Sequence, residues 1–270
     1  MTKELEFLDK YPQVIPGVYD VPNEEYHAAP GISSSNLRDI YHSIDQYEWY
    51  QEHPKKPTDA MIEGSALHDL ALLPDKFDDL WYISKYKTKT AEKFKKDVED
   101  HAPKGVLTAH QGHSLTEQYR ALKRNPTIVK VFQSDTLLRE VSIWGHDPTT
   151  NLLIKARPDI ISMGVMYDLK TTAGSVTPRG FLQSVYKYKY HVQAAWYLWV
   201  AAIIGMQIDR FVFICVERHP PYHTALYELN DDLISEGRMI IRQALDKYHR
   251  YKTGKDDWTG LDQGREVVVL

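Results

Sequence analysis

The chain has 270 residues, 43% of them hydrophobic and 26% charged, with a net charge of −4. That ordinary globular composition excludes a disordered, collagen-like or low-complexity protein. No apolar run approaches the roughly 18–20 residues that span a bilayer, and the opening MTKELEFLDKYPQ lacks the apolar core of a signal peptide, so a soluble, cytoplasmic protein is expected.

A single cysteine, Cys215, excludes a disulfide framework and any zinc or iron–sulfur site built from several thiolates. The acidic balance gives no bulk attraction for nucleic acid, although an enzyme can confine its positive field to one groove. One basic run, Lys85-Tyr86-Lys87-Thr88-Lys89 with Lys93, Lys95 and Lys96, reads either as a solvated face or as a nucleic-acid contact.

No repeat or linker divides the chain, so residues 1–270 read as one domain. After a Pro-rich, irregular start of about 30 residues, Ser33-Ser34-Ser35 caps a short helix through Ile40. Ser43-Ile44-Asp45-Gln46 fits a capping box opening a helix to about His53. Met61 to Leu73 is apolar at helical spacing and ends at Pro74. Lys85 to Asp100 is weakly helical, and His113 to Asn125 is helical.

The period then changes. Leu137 to Trp144, Leu152 to Ile161 and Val165 to Thr171 read as three strands of an antiparallel meander, turning at Asp147–Asn151 and Ser162–Gly164. Phe181 to Ile204 reads as one long helix. The nearly continuous apolar run Arg210 to Glu217 reads as a strand buried on both faces, in the parallel part of a mixed sheet. Tyr222 to Leu229 is an edge strand. Asn230 caps a final helix that reaches about Thr253 and stops at Gly254. The expected fold class is α/β with a helical N-terminal elaboration.

The chemistry concentrates in Arg157-Pro158-Asp159 and Asp168-Leu169-Lys170. Strand residues two apart share a face, so Asp168 and Lys170 project together, and the tight turn lets Asp159 approach them. Two carboxylates and an ammonium form either a solvated same-face ion pair with a turn cap, or a pocket that binds an oxygen-loving Mg²⁺ or Mn²⁺. Glu140 is either a solvent-facing strand carboxylate or part of that pocket. Upstream, Gly64 lies one turn before His68 on the same helical face and permits close approach of another element. Downstream, Gln193 and Tyr197 stand at i and i+4 on one helix face, where they can hold a phosphate or orient a carboxylate.

In this order, G-x-x-x-H, an acidic strand, P-D, D-x-K and Q-x-x-x-Y resemble the PD-(D/E)XK nuclease superfamily. They are most similar to its RecB and lambda-exonuclease-like branch and to the nuclease domain of the RecE (exonuclease VIII) family. The likeness runs from Tyr26-His27-Ala28-Ala29-Pro30 through His191 and Gln193, with a nuclease core of about residues 60–255. It implies a PD-(D/E)XK core, a mixed central sheet flanked by helices. It also implies Mg²⁺, with Mn²⁺ able to substitute, held by His68, Asp159, Asp168, the Leu169 carbonyl and Glu140. Lys170 is then the catalytic lysine, with Asp159, Asp168, Gln193 and Tyr197 as its catalytic partners, and no iron–sulfur cluster is implied. The implied activity is a 5′-to-3′ double-strand DNA exonuclease that releases 5′-mononucleotides and leaves 3′ overhangs for recombination by strand annealing. Its partners would be DNA ends, a RecT-like annealing protein and further copies of itself in a ring, as a tetramer.

Ser33, Ser35 and Arg38 are candidates for a phosphate contact at a helix N-terminus, against the plainer reading of a helix cap. Lys187 and Lys189, interleaved with Tyr186, Tyr188 and Tyr190, could follow a single strand. The alternatives are an endonuclease of the same fold, structure-specific or of restriction type, and a catalytically silent DNA-binding protein.

Overall fold

A buried parallel strand pair organises the protein. The computed structural model describes residues 4–261. Its helices are α1 (Glu4–Lys10), α2 (Asn23–Ala28), α3 (Ser34–His42), α4 (Ile44–Glu52), α5 (Asp59–Leu72), α6 (Phe77–Leu80), α7 (Glu92–Asp100), α8 (Ala109–Arg124), α9 (Pro126–Phe132), α10 (Pro178–Tyr188), α11 (Tyr190–Ile203) and α12 (Asp231–Lys252). The strands are β1 (Gly17–Tyr19), β2 (Trp81–Ile83), β3 (Gly105–Leu107), β4 (Leu138–Arg139), β5 (Ser142–His146), β6 (Leu153–Ala156), β7 (Ile160–Ser162), β8 (Val165–Thr172), β9 (Arg210–Glu217) and β10 (Thr224–Glu228). No helix among the described residues is long and apolar enough to cross a membrane.

The main sheet has the order β10-β9-β8-β7-β4, with β8 and β9 parallel and the other pairs antiparallel. Period-two alternation sorts β9 between two cores. Phe211, Phe213 and Cys215 pack with Val192, Trp196 and Val200 of α11 and Leu245 of α12. Ile214 and Val216 pack with Leu67 of α5, Leu115 of α8 and Ile128 of α9. Helices therefore cover both faces, as the continuous apolar run of β9 requires, and β10 closes the edge. Fold class is as expected from the sequence, including the mixed sheet.

Several expected elements differ. The Pro-rich start expected to be irregular holds α1, β1 and α2, with Tyr19 and Tyr26 buried against Trp144. The Leu137–Trp144 strand divides at Glu140, whose φ is +50°, into β4 and β5. The Leu152–Ile161 strand divides at Arg157-Pro158-Asp159 into β6 and β7, because Pro158 has no N–H for the ladder. The two breaks face each other, with the Glu140 N–H donating to the Asp159 carbonyl at 3.0 Å. The long hairpin therefore bends as a unit. Its inner half joins the main sheet, and its outer half forms a separate three-stranded sheet, β1-β5-β6.

The expected single helix over 181–204 is two, α10 and α11, separated by Lys189 in the left-handed region at φ +58°. Only Glu92–Asp100 of the basic 85–100 segment is helical. At Ser43 the capping box closes halfway: Ser43 Oγ accepts from the Gln46 N–H, but the Gln46 amide turns to Asp39 instead.

Candidate metal and catalytic centre

The double break in the hairpin assembles the centre. Asp159, just past Pro158, accepts the Leu169 N–H on Oδ2 at 2.7 Å, and its Oδ1 lies 2.9 Å from His68 Nε2. Glu140, turned by its positive φ, brings Oε1 to 3.3 Å from the other ring nitrogen, Nδ1, and Oε2 to 3.7 Å from the Arg157 guanidinium. His68 on α5 thus bridges two carboxylates carried by the two broken strands. A Cβ built on Gly64 would sit 3.5 Å from Thr171 Oγ1, an ordinary contact, so α5 packs on β8 at that point without needing a glycine.

Asp168 and Lys170 share a face of β8, as the period-two reading requires, with Lys170 Nζ 2.6 Å from Asp168 Oδ2. The same Asp168 accepts Gln193 Nε2 on Oδ1 at 2.7 Å, and the Lys170 ammonium lies 4.9 Å from the centroid of the Tyr190 ring. Asp168 is only 2% exposed. Tyr197, one turn beyond Gln193, is buried beside Asp168 and Asp159.

Burial and the clustering of charge set the proton affinities. Burial pulls His68 down, but the Asp159 charge and hydrogen bond and the Glu140 charge outweigh it and lift the imidazole to about 9. Burial would raise Asp159, yet His68 and Lys170 hold it below the usual carboxylate range. Burial raises Asp168, with Asp159 adding to the shift and Lys170 opposing it. Burial works against the Lys170 charge, but Asp168 and Asp159 keep it above the ordinary lysine value. Burial, then the two aspartates, push Tyr197 up to about 12.

These residues fit a hard divalent cation. The donors are carboxylate oxygens and an imidazole nitrogen, which suit Mg²⁺ or Mn²⁺. Buried Asp168 Oδ2 has no hydrogen-bond donor in line, although the Lys170 charge is adjacent, and a bound cation would satisfy it. One set of ligand atoms, from His68, Asp69 and Glu140, lies within 4.8 Å of one another; Asp168 is not part of it.

Asp69 was missed from the sequence, where it follows His68 without a spacing signal, and its Oδ2 accepts the Trp81 indole N–H at 2.7 Å. Tyr190 was read only as part of an aromatic run, and its place under Lys170 comes from the α10–α11 corner.

His68, Glu140, Asp159, Asp168, Leu169, Lys170, Gln193 and Tyr197 therefore come together. The strand reading of Glu140 is corrected: it lies between strands and faces His68. Ser33, Ser35, Arg38, Lys187 and Lys189 gather elsewhere, around α3 and the α10–α11 corner. Ser33 is a true N-cap, with its Oγ accepting the Asn36 N–H and the Asn36 side chain returning the bond. Arg38 donates to the Tyr188 carbonyl at 2.9 Å.

The sequence of residues 33–259 matches the family described as a PDDEXK-like domain of unknown function (DUF3799). Among solved structures the chain is similar to a protein from Eubacterium rectale that carries a provisional exonuclease description. That match has a TM-score of 0.65 at 18% identity and covers 93% of this chain and 94% of that one. Weaker likenesses, each with a TM-score of 0.37 at 15% identity, are to a phage-related exonuclease from Haemophilus somnus 129PT and an alkaline exonuclease from Laribacter hongkongensis. They cover 84% and 86% of this chain, respectively, and 97% of each of those chains. No curated protein matches the sequence. With the family match spanning most of its length and Asp159, just before β7, converging with the D-x-K residues of adjacent β8, the chain belongs to this PDDEXK-like family, in the PD-(D/E)XK nuclease superfamily.

Proposed function

We propose that this protein is a divalent-metal-dependent DNA nuclease, and more narrowly a 5′-to-3′ exonuclease that resects duplex ends to 3′ overhangs and releases 5′-mononucleotides. The observation that carries the nuclease reading is the ion pair of Lys170 with buried Asp168, joined through the Leu169 N–H to Asp159 and on to His68. Burying so many charges together is costly unless they are paired or coordinate a metal, and Asp168 Oδ2 still lacks a hydrogen-bond donor in line.

His68, Asp159, Asp168, the Leu169 carbonyl and Glu140 would hold Mg²⁺, with Mn²⁺ as a substitute. When bound, the metal polarises the scissile phosphate and lowers the pKa of a coordinated water. Lys170, kept as an ammonium by Asp168, places a positive charge where a phosphate oxygen would gain negative charge. Gln193 fixes the rotamer of Asp168, and the Arg157 guanidinium, 3.7 Å away, offsets the charge of Glu140. Tyr197, with its proton retained, presents a neutral hydroxyl.

The polarity, a tetrameric ring around DNA, the recombination role and a RecT-like annealing partner rest on the likeness to the RecE family. The exonuclease description of the Eubacterium rectale protein agrees with the exonucleolytic reading.

Linear duplexes labelled at one end, with closed circles and the Asp168→Ala variant as controls, test the proposal in Mg²⁺ buffer. Release from 5′ ends only, with circles intact and the variant inert, is the expected result. Cutting of circles would move the reading to an endonuclease, and inactivity in both Mg²⁺ and Mn²⁺ would overturn it.

A further inference from the structure

Beside α11 lies a cavity of about 1140 Å³, lined from α3, the α10–α11 corner and α12. In a chain whose net charge is −4, this cavity is lined by Arg38, Lys55, Lys187, Lys189, Lys247 and Arg250. Its carboxylates, Asp39 and Asp246, are already engaged. Asp39 accepts from Lys55 Nζ at 2.8 Å and from the Gln46 amide at 3.0 Å, and Asp246 lies 2.7 Å from Arg242. Lys55 is taken up by Asp39 and Arg250 lies 3.9 Å from Asp256, but six cations against two carboxylates in the lining still leave the field in the cavity positive.

Two further features indicate what the field is for. Rings stand among the cations: Tyr41 and Tyr188 line the cavity and are 38% and 45% exposed. The corner that presents Lys187, Tyr188 and Lys189 is held open by Lys189 at φ +58°, a conformation a non-glycine residue adopts only when its surroundings impose it. The cavity also adjoins the acidic centre. Tyr188 stacks on Tyr190 with centroids 5.6 Å apart, and the Tyr190 ring lies beneath the Lys170 ammonium.

We propose that this groove binds a single strand of nucleic acid continuous with the strand at the acidic centre. Lys187, Lys189 and Arg250 would meet its phosphates, and Tyr188 and Tyr41 would stack on its bases. Alternating rings and cations suit bases and phosphates, which stack and pair with charge at once; an acidic peptide would leave the rings unused. The proposal rests on the nuclease reading above but concerns binding, which can be measured without cleavage.

The test is fluorescence anisotropy of the full chain with a dye-labelled oligothymidylate of about 10 nucleotides, within the range of single-strand site sizes. EDTA is present to prevent cleavage, and salt is varied. Lys187→Ala and Arg250→Ala should each weaken binding on the order of tenfold and lower the slope of log affinity against log salt by about 0.7 per lost phosphate contact. Lys189→Asn removes the charge with a residue that tolerates the left-handed region, so its loss of binding cannot be ascribed to backbone strain. Lys130→Ala, exposed on α9 and outside the cavity lining, should bind as the wild type does.

Unchanged affinity and slope in all three groove variants, no binding by the wild type, or equal competition by polyglutamate at matched salt would each overturn the groove. Binding that survives Asp168→Ala, in a wild type that digests nothing in Mg²⁺, would sink the nuclease reading and leave the groove standing.

Discussion

Gln193 on α11 donates to Oδ1 of Asp168 on β8 at 2.7 Å, so the amide of one motif sets the orientation of the carboxylate of another. Supporting partners of this kind commonly matter 10–100-fold. Gln193→Ala should therefore lower the rate of DNA digestion about 10–100-fold and raise the Mg²⁺ concentration needed for half-maximal rate. Initial rates across a Mg²⁺ titration check it, and a wild-type titration curve would remove Gln193 from the site.

Asp168 and Glu140 differ in what else depends on them. Asp168 neutralises Lys170 and is buried, whereas Glu140 joins the cluster through His68 and Asp69. Asp168→Asn should abolish digestion at every metal concentration. Glu140→Gln should retain activity while shifting the metal midpoint upward, by roughly tenfold as for ligand-supporting groups. Calorimetric titration with Mn²⁺ on both variants distinguishes the two roles. Equal loss of metal binding in both would show that they act as one ligand set.

Gly237 marks a tight helix–helix contact in the core. A Cβ there would fall 2.5 Å from the His191 carbonyl oxygen and 2.9 Å from Ala195 Cβ, so α12 would have to leave α11. Gly237→Ala should destabilise the protein by about 1–3 kcal/mol by overpacking, against the roughly 1 kcal/mol that alanine gains over glycine in an open helix. Gly64→Ala, with 3.5 Å to Thr171 Oγ1, should be tolerated. Urea denaturation of the pair measures both, and a stabilised Gly237→Ala would contradict the packing.

Lys155 is buried and donates to the carbonyls of Ala29 at 2.6 Å and Tyr26 at 2.8 Å, tying the N-terminal segment to β6. Burial lowers its pKa to about 8. Between that value and the ordinary lysine value the unfolded chain binds more protons, so this group's contribution to stability rises with pH over that window and is lost as pH falls through about 8. The stability of the wild type relative to Lys155→Met should therefore shift in favour of the wild type between pH 7 and about 10. Chemical denaturation of both proteins at the two pH values reads the shift directly. A pH-independent difference would mean that Lys155 keeps its ordinary affinity for protons.

Much of the centre was legible because its motifs are local. D-x-K puts two side chains on one strand face, and Q-x-x-x-Y and G-x-x-x-H each put two positions on one helix face. Each needs only the period of its own element. The helix caps at Ser33 and Asn230 were legible for the same reason, since a cap is satisfied within three residues. The division of the long helix at Lys189 was not legible. Tyr186 to Val192 carries no glycine or proline to mark a break, and packing of α3 through Arg38 onto the Tyr188 carbonyl accompanies the turn. Asp69 was likewise hidden, because adjacency to His68 says nothing about where a neighbouring helix residue points.

By itself the sequence determined most of the helices and the central strands from Leu137 onward, that β9 is covered on both faces, and that Asp168 and Lys170 share a strand face. The tertiary structure decided where the strands break and hence what meets at the centre. Glu140 reaches His68 only because it adopts a positive φ and bonds to the Asp159 carbonyl across the hairpin. Such a conformation is imposed by partners distant in the chain, and no local preference of a glutamate encodes it.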